Sequence, residues 1–142
     1  MLGGVKMTRV QMQLSRPTLL AFKEFKRLAY GDEELNATNG YIVGVALKEL
    51  LPYISSEGNI ENIDLVNQID WETYDKEPLS NVTDSDDTDT VRTKTTLTLE
   101  HSVDNALNHL QKEFKEIFKV NRVYKAFVVK MILYAAIRKR ID

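Results

Sequence analysis

Two short stretches of this chain alternate polar and apolar residues, and each comes before two helical patterns. The first is residues 9–14, which ends with Leu14 on its apolar side. The second is residues 94–99, which lies 85 positions later and has Leu97 and Leu99 on its apolar side. A period of two predicts a β-strand with one buried and one exposed face. A lone six-residue strand leaves its backbone donors and acceptors unpaired, so this feature strongly limits the possible folds.

Two helical patterns follow each stretch at the same offset. In the first copy, Ser15 can cap a helix that Gly31 ends, and a second helix is expected to stop at Pro52. In the second copy, the first helix is expected to run through about Phe118 and the second through about Arg140. The apolar residues that carry these patterns include Leu19, Phe22, Phe25, Ile42, Val43, Leu47, Leu50, Leu107, Leu110, Phe127, Val128, Met131 and Ile132.

One strand followed by two helices buries too little surface to be stable alone. We therefore expect two such repeats, residues 7–52 and 91–142, to fold together as an intramolecular pseudo-dimer. Their strands would pair as a two-stranded antiparallel ribbon over four helices, which makes the fold class α+β and mostly α. Residues 1–6 are expected to form a disordered start.

The net charge of −2 conceals an uneven distribution. Residues 1–51 hold seven basic and five acidic side chains. Residues 52–90 hold one basic and eleven acidic side chains, and residues 91–142 hold eleven basic and five acidic side chains. A DNA-binding domain usually has an excess of basic residues, so the net charge of the whole chain argues against a nucleic-acid partner. The two flanking segments, however, carry a positive balance that the acidic middle hides.

The middle of the chain, residues 53–90, is predicted to be an acidic linker with one short helix. The helix is predicted because apolar residues recur at every third position, at Ile60, Ile63, Val66 and Ile69. The tract 84–89 begins like a calcium-binding loop. However, Asp89 stands where the turn needs glycine, and Thr95 stands where a bidentate glutamate is needed. We therefore expect no metal site.

The outward face of the expected ribbon carries side chains that can recognise base pairs. A two-stranded ribbon fits the major groove of DNA, where arginine and lysine donate to guanine, glutamine pairs with adenine, and threonine can contact either kind of base edge. None of the outward residues is acidic or a large apolar residue. The predicted base-reading residues are Arg9, Gln11, Gln13, Lys94, Thr96 and Thr98.

Each repeat resembles the ribbon-helix-helix fold of the Arc, MetJ and CopG repressors. The tandem arrangement in one chain is similar to that of the TraY proteins of conjugative plasmids. This resemblance implies sequence-specific binding of double-stranded DNA. It also implies that the start of each second helix meets a phosphate through backbone N–H groups and nearby polar side chains. The matching positions are Asn36, Thr38 and Asn39 in the first repeat and Asn121 and Arg122 in the second, where Val123 replaces the expected hydroxyl.

We therefore expect a transcriptional repressor or a plasmid maintenance or transfer protein, such as one for partition or conjugation. Its partner would be double-stranded DNA, with self-association on tandem sites. The alternative is a protein-interaction module, an antitoxin or an assembly adaptor, whose acidic linker binds a basic partner.

Enzymatic activity is not expected. The chain has no cysteine, and its two histidines, His101 and His109, have no neighbouring carboxylate pair that would complete a catalytic site. No cofactor motif occurs, so we expect no cofactor. The sequence has neither a signal-peptide pattern nor an apolar run that could span a bilayer. We accordingly expect no membrane partner and a cytoplasmic location, associated with the nucleoid or a plasmid.

Overall fold

The computed structural model describes residues 5–82 and 92–142. Residues 1–4 of the predicted disordered start and the acidic tract 84–89 lie outside the described residues. The elements in chain order are strand β1 (Met7–Ser15), helices α1 (Arg16–Tyr30) and α2 (Asn39–Ile54), a short 3₁₀ helix (Val66–Gln68), helix α3 (Trp71–Lys76), strand β2 (Arg92–Glu100), and helices α4 (His101–Phe118) and α5 (Lys125–Ile141).

The two alternating stretches form strands, as predicted, and they pair with each other. β1 and β2 are antiparallel, with Met7 opposite Glu100 and Ser15 opposite Arg92. Successive side chains of a strand point to opposite faces. One face of the ribbon therefore packs on the helices through Met12, Leu14, Leu97 and Leu99, which are all buried.

The predicted capping residues begin and end the first two helices. The Ser15 side chain accepts a hydrogen bond from the backbone N–H of Thr18. Gly31 ends α1 with a φ of 74°, a left-handed conformation that glycine adopts without steric cost. The predicted stop of α2 at Pro52 is wrong, because the helix continues to Ile54. Pro52 lies in the last turn, where its missing N–H removes one helical hydrogen bond. The Ser55 backbone N–H still donates to the Leu51 carbonyl and completes the end of the helix.

The prediction of two ribbon-helix-helix repeats with four helices is wrong. The described residues contain five α-helices and one two-stranded sheet, and each of the two expected repeats supplies one strand of that sheet. The additional helix, α3, belongs to the segment between the expected repeats. Its Trp71 is 1% exposed, its indole Nε1 donates to the carbonyl of Val66 at 2.8 Å, and its ring lies 4.9 Å from that of Phe114.

The middle segment contributes to the core because its few apolar residues are buried among the helices. Its composition is dominated by acidic and turn residues, which hid this role in the sequence. The predicted helix over residues 60–69 is not present; the structure has the three-residue 3₁₀ helix followed by α3. A repeat of three suits a 3₁₀ turn as well as an α-helix. The buried apolar side chains of this segment are Ile63, Val66, Ile69, Trp71, Leu79 and Val82.

Helix α5 is the central helix of the fold. It packs against α1, α2, α3 and α4, and it also contacts β1. Its middle is buried on every side, from Val128 to Ile137 except for the partly exposed Lys130. This all-round burial gives α5 a fixed position, so its first turn is held beside the ribbon.

Candidate nucleic-acid interface

The register of the ribbon brings all six predicted base-reading residues together on one face. Arg9 lies opposite Thr98, Gln11 opposite Thr96, and Gln13 opposite Lys94. All six side chains are exposed. Directly opposite residues of an antiparallel pair typically have Cβ atoms about 4.5–5.5 Å apart, so the row forms a continuous polar surface. Sequence spacing predicted which residues share this face, and the tertiary structure determined which of them are opposite each other.

The six predicted base-reading residues of this row include two cations and no carboxylate. Arg9 and Lys94 lie toward opposite ends of the row, and the uncharged pair of Gln11 and Thr96 lies between them. The acidic residue of the two strands, Glu100, is the last residue of β2 and lies on the same face, opposite Met7, and its carboxylate is paired with the Lys48 ammonium at 3.2 Å. The face is therefore able to donate hydrogen bonds to base edges without repelling phosphates.

The start of α2 lies directly against β2. Gly40, in the first turn of α2, is buried against the backbone of Thr98, and this close approach leaves no room for a side chain. The hydroxyl of Thr38, a predicted phosphate contact, accepts a hydrogen bond from the backbone N–H of Tyr41 at 3.2 Å. Thr38 thus caps the helix start that packs against β2.

The other two polar residues at the start of α2 lie in a groove of mixed charge. Asn36 is exposed and Asn39 is half-buried, and both line a shallow groove against α1. The same groove includes Glu33 and Glu34 as well as three basic residues, Arg16, Lys23 and Lys26. These carboxylates lower the positive potential that a phosphate would meet there.

The start of α5 lies beside β1, across the ribbon from the start of α2. A groove of about 650 Å³ separates the two elements, and its lining includes Gln11 and Gln13. The Tyr124 ring, which precedes α5, lines the same groove and is 61% exposed. No side chain caps the first turn of α5. The groove therefore combines base-reading residues, an exposed aromatic ring and the positive end of a helix.

The loop before α5 holds the second predicted phosphate pair. Asn121 and Arg122 are both exposed, and the Arg122 guanidinium stacks over the Tyr124 ring at 4.7 Å. Val123 is buried, and its backbone carbonyl accepts a hydrogen bond from the Gln111 side chain at 2.7 Å. Val123 thus holds the loop against the core through its buried apolar side chain. It offers no hydroxyl that could bind a phosphate.

Sequence patterns missed three residues that line the groove at α5. They are Tyr124, Lys125 and Arg92, of which Lys125 pairs with the partly buried carboxylate of Asp104 at 2.8 Å. Their signal was weak, because Tyr124 and Lys125 follow a short turn and Arg92 precedes the alternating stretch. Arg92 is the first residue of β2, whereas only the packing of α5 against β1 brings Tyr124 and Lys125 to the ribbon.

The two histidines and the acidic side chains of the described residues do not form a metal-binding group. Within residues 5–82 and 92–142, no group of three or more histidine, cysteine or acidic side chains could hold a metal ion. His101 and His109 line one groove with Glu61, and the His101 ring lies 3.3 Å from the Thr8 hydroxyl. Among the described helices, none combines the length and the apolar character needed to cross a membrane.

Comparison with protein-family models, with curated proteins and with solved structures found no match for this chain.

Proposed function

We propose that this protein binds double-stranded DNA sequence-specifically by inserting its β-ribbon into the major groove. One observation carries the proposal. The antiparallel register aligns Arg9, Gln11 and Gln13 with Thr98, Thr96 and Lys94 in a single exposed row, and the one carboxylate of the two strands, Glu100 at the end of β2, is paired with Lys48. A two-stranded ribbon has the width that the major groove admits. These side chains can also discriminate between base pairs there.

The ribbon would read bases while the flanking elements hold the backbone of the duplex. The starts of α2 and α5 lie beside β2 and β1 respectively, where helix N-termini favour phosphates. The two strands carry different outward side chains, so the two halves of the bound site should differ. We therefore expect the core DNA sequence to be non-palindromic. The protein would act as a repressor or as a plasmid maintenance or transfer protein. It would do so in the cytoplasm, on the nucleoid or on a plasmid.

The alternative, a protein-interaction module that uses the acidic middle segment, has weaker support. Several carboxylates of this segment already have partners within the chain. Asp75 lies 3.1 Å from the Lys130 ammonium and Glu77 lies 3.5 Å from the Arg138 guanidinium. Asp64 accepts hydrogen bonds from the backbone and the hydroxyl of Ser56. These groups are less available to a basic partner than unpaired carboxylates would be.

The proposal can be tested by selecting duplexes from a random pool with the full-length chain and measuring their affinities. Arg9→Ala and Gln11→Ala should each weaken binding to the selected duplex by about 1–3 kcal/mol and have little effect on random DNA. Lys76 and Gln68 are exposed and lie outside the strands. Lys76→Ala and Gln68→Ala therefore serve as matched controls and should leave the selected affinity unchanged.

Two results would contradict this function. The first is a selection that enriches no common sequence. The second is an affinity that does not fall as the salt concentration rises, because phosphate contacts release counterions and make binding salt-dependent. An equal loss on selected and random duplexes in Gln11→Ala would show that the ribbon binds without reading sequence.

A further inference from the structure

A second basic surface lies next to the groove at α5, on helix α4 and the loop that follows it. Lys112, Lys115 and Arg122 line a groove of about 480 Å³ together with two amide side chains, Asn108 and Gln111. No acidic residue is among the residues that line this groove. All three cations are exposed.

The three cations are not neutralised by the rest of the described chain. Neither Lys112 nor Lys115 has an ion pair or a hydrogen bond from its side chain to another described residue, and Arg122 contacts only the Tyr124 ring. Other cations of the protein do have carboxylate partners; Lys125, for example, is bound to Asp104. Three unpaired positive charges held close together attract a polyanion over a distance of about 10 Å at ordinary ionic strength.

This surface is continuous with the proposed base-reading face. The Arg122 guanidinium stacks on the Tyr124 ring, and that ring lines the same groove as Gln11 and Gln13. A duplex seated on the ribbon would therefore pass the α5 side with its backbone next to Arg122.

The corresponding groove on the α2 side carries charges of both signs, because Arg16, Lys23 and Lys26 line it together with Glu33 and Glu34. The loop between α1 and α2 contains three consecutive acidic residues, 32–34, whereas the loop between α4 and α5 contains Lys119 and Arg122. On the α2 side, Lys23 lies 4.0 Å from the Glu34 carboxylate, so part of the positive charge there is already balanced. The two loops occupy equivalent places beside the two strands but differ in charge.

We infer that the protein holds flanking DNA on one side only, along the groove formed by Lys112, Lys115 and Arg122. This inference rests on the proposed function and adds to it a phosphate-binding track of defined position. The ribbon selects the sequence, and the track extends the contact to the backbone of the DNA beyond the core site on the α5 side. The acidic loop between α1 and α2 gives no matching contact on the other side.

The inference can be tested with three duplexes that contain the selected core site. One is limited to the core, and the other two extend it by about one helical turn on the left or on the right. For the wild-type chain, one extension should strengthen binding and the other should not. In the triple variant Lys112→Ala, Lys115→Ala and Arg122→Ala, that gain should disappear, and the slope of log affinity against log salt should become shallower by about 2–3 on the extended duplex.

Lys23→Ala combined with Lys26→Ala provides the control, because both lysines line the groove on the α2 side. This double variant should keep the one-sided gain. The inference is overturned if both extensions strengthen binding equally, if neither does, or if the triple variant keeps the gain. The proposed function is tested separately, because it requires only that the wild-type chain bind the core duplex, whether or not the extensions add affinity. Melting curves establish that the variants are folded.

Discussion

Gly40 lies so close to Thr98 that a Cβ atom on Gly40 would be 2.1 Å from the Thr98 carbonyl oxygen. Real Cβ atoms do not approach backbone oxygens to this distance. The contact joins the first turn of α2 to strand β2. It therefore fixes the position of the α2 N-terminus relative to the exposed face of the ribbon. Glycine is needed here because of packing, since only Gly31 and Gly58 among the described glycines have a positive φ.

The first prediction concerns this contact. Gly40→Ala should lower the free energy of unfolding by at least about 1–3 kcal/mol, because the backbone of β2 must move to relieve the overlap. Gly44, one turn later in α2, is the matched control. A Cβ atom on Gly44 would lie 3.6 Å from its nearest neighbour, the Val103 side chain, which is an ordinary van der Waals distance. Gly44→Ala should stabilise the protein by about 0.5–1 kcal/mol, because alanine is the better helix former. Urea unfolding of both variants measures the difference, and equal effects would contradict the close approach.

The second prediction concerns the middle segment. Trp71→Ala should lower the free energy of unfolding by about 3–5 kcal/mol, because it removes a buried ring packed on Phe114 and leaves a cavity. Tyr124→Ala is the control, since this ring is 61% exposed, and it should cost about 1 kcal/mol or less. Thermal unfolding compares the two. A small effect of Trp71→Ala would mean that the acidic segment is not part of the core.

The third prediction concerns pH. The Arg27 guanidinium donates two hydrogen bonds to the buried Glu24 carboxylate, at 2.7 and 2.9 Å, and Asn81 adds a weaker contact. These interactions, chiefly the one with Arg27, hold the pKa of Glu24 below its ordinary value of 4.5, although burial opposes them. A lowered pKa in the folded state contributes stability above the unfolded pKa, and this stability is lost as the pH falls through the folded value.

Wild-type stability should therefore fall as the pH drops below about 4.5, and Glu24→Gln should reduce this dependence. Urea unfolding at several acidic pH values measures it. Glu57→Gln removes one exposed carboxylate in a turn and is the control for the loss of charge alone. If both variants kept the same acid dependence as the wild type, the Glu24 cluster would not be its source.

The fourth prediction separates sequence reading from charge. Gln13 and Lys94 lie directly opposite each other on the ribbon. The double variant Gln13→Lys with Lys94→Gln exchanges the two side chains and keeps the composition and net charge. Its affinity for random DNA should stay unchanged, while its preferred sequence, determined again by selection, should differ near one end of the core site. An unchanged preferred sequence would mean that this pair does not contact bases.

Local periodicity in the sequence determined the strands, four of the five helices and the polar row. A period of two determines which side chains of a strand share a face, whatever the strand pairs with, so the spacing of Arg9, Gln11 and Gln13 is enough to group them. Capping by Ser15 and the end of α1 at Gly31 are likewise interactions between near neighbours in the chain. Such features depend on residues a few positions apart.

The tertiary structure alone decided how these pieces are arranged and which residues meet. Trp71 belongs to the core because its ring packs between α4 and α5. The acidic residues around Trp71 in the sequence concealed this role. The cross-strand pairs, the burial of Gly40 under Thr98 and the groove at Tyr124 join residues far apart in the chain. Contacts of this kind depend on the packing of whole elements, whose free energy is shared among many side chains and leaves no short pattern in the sequence.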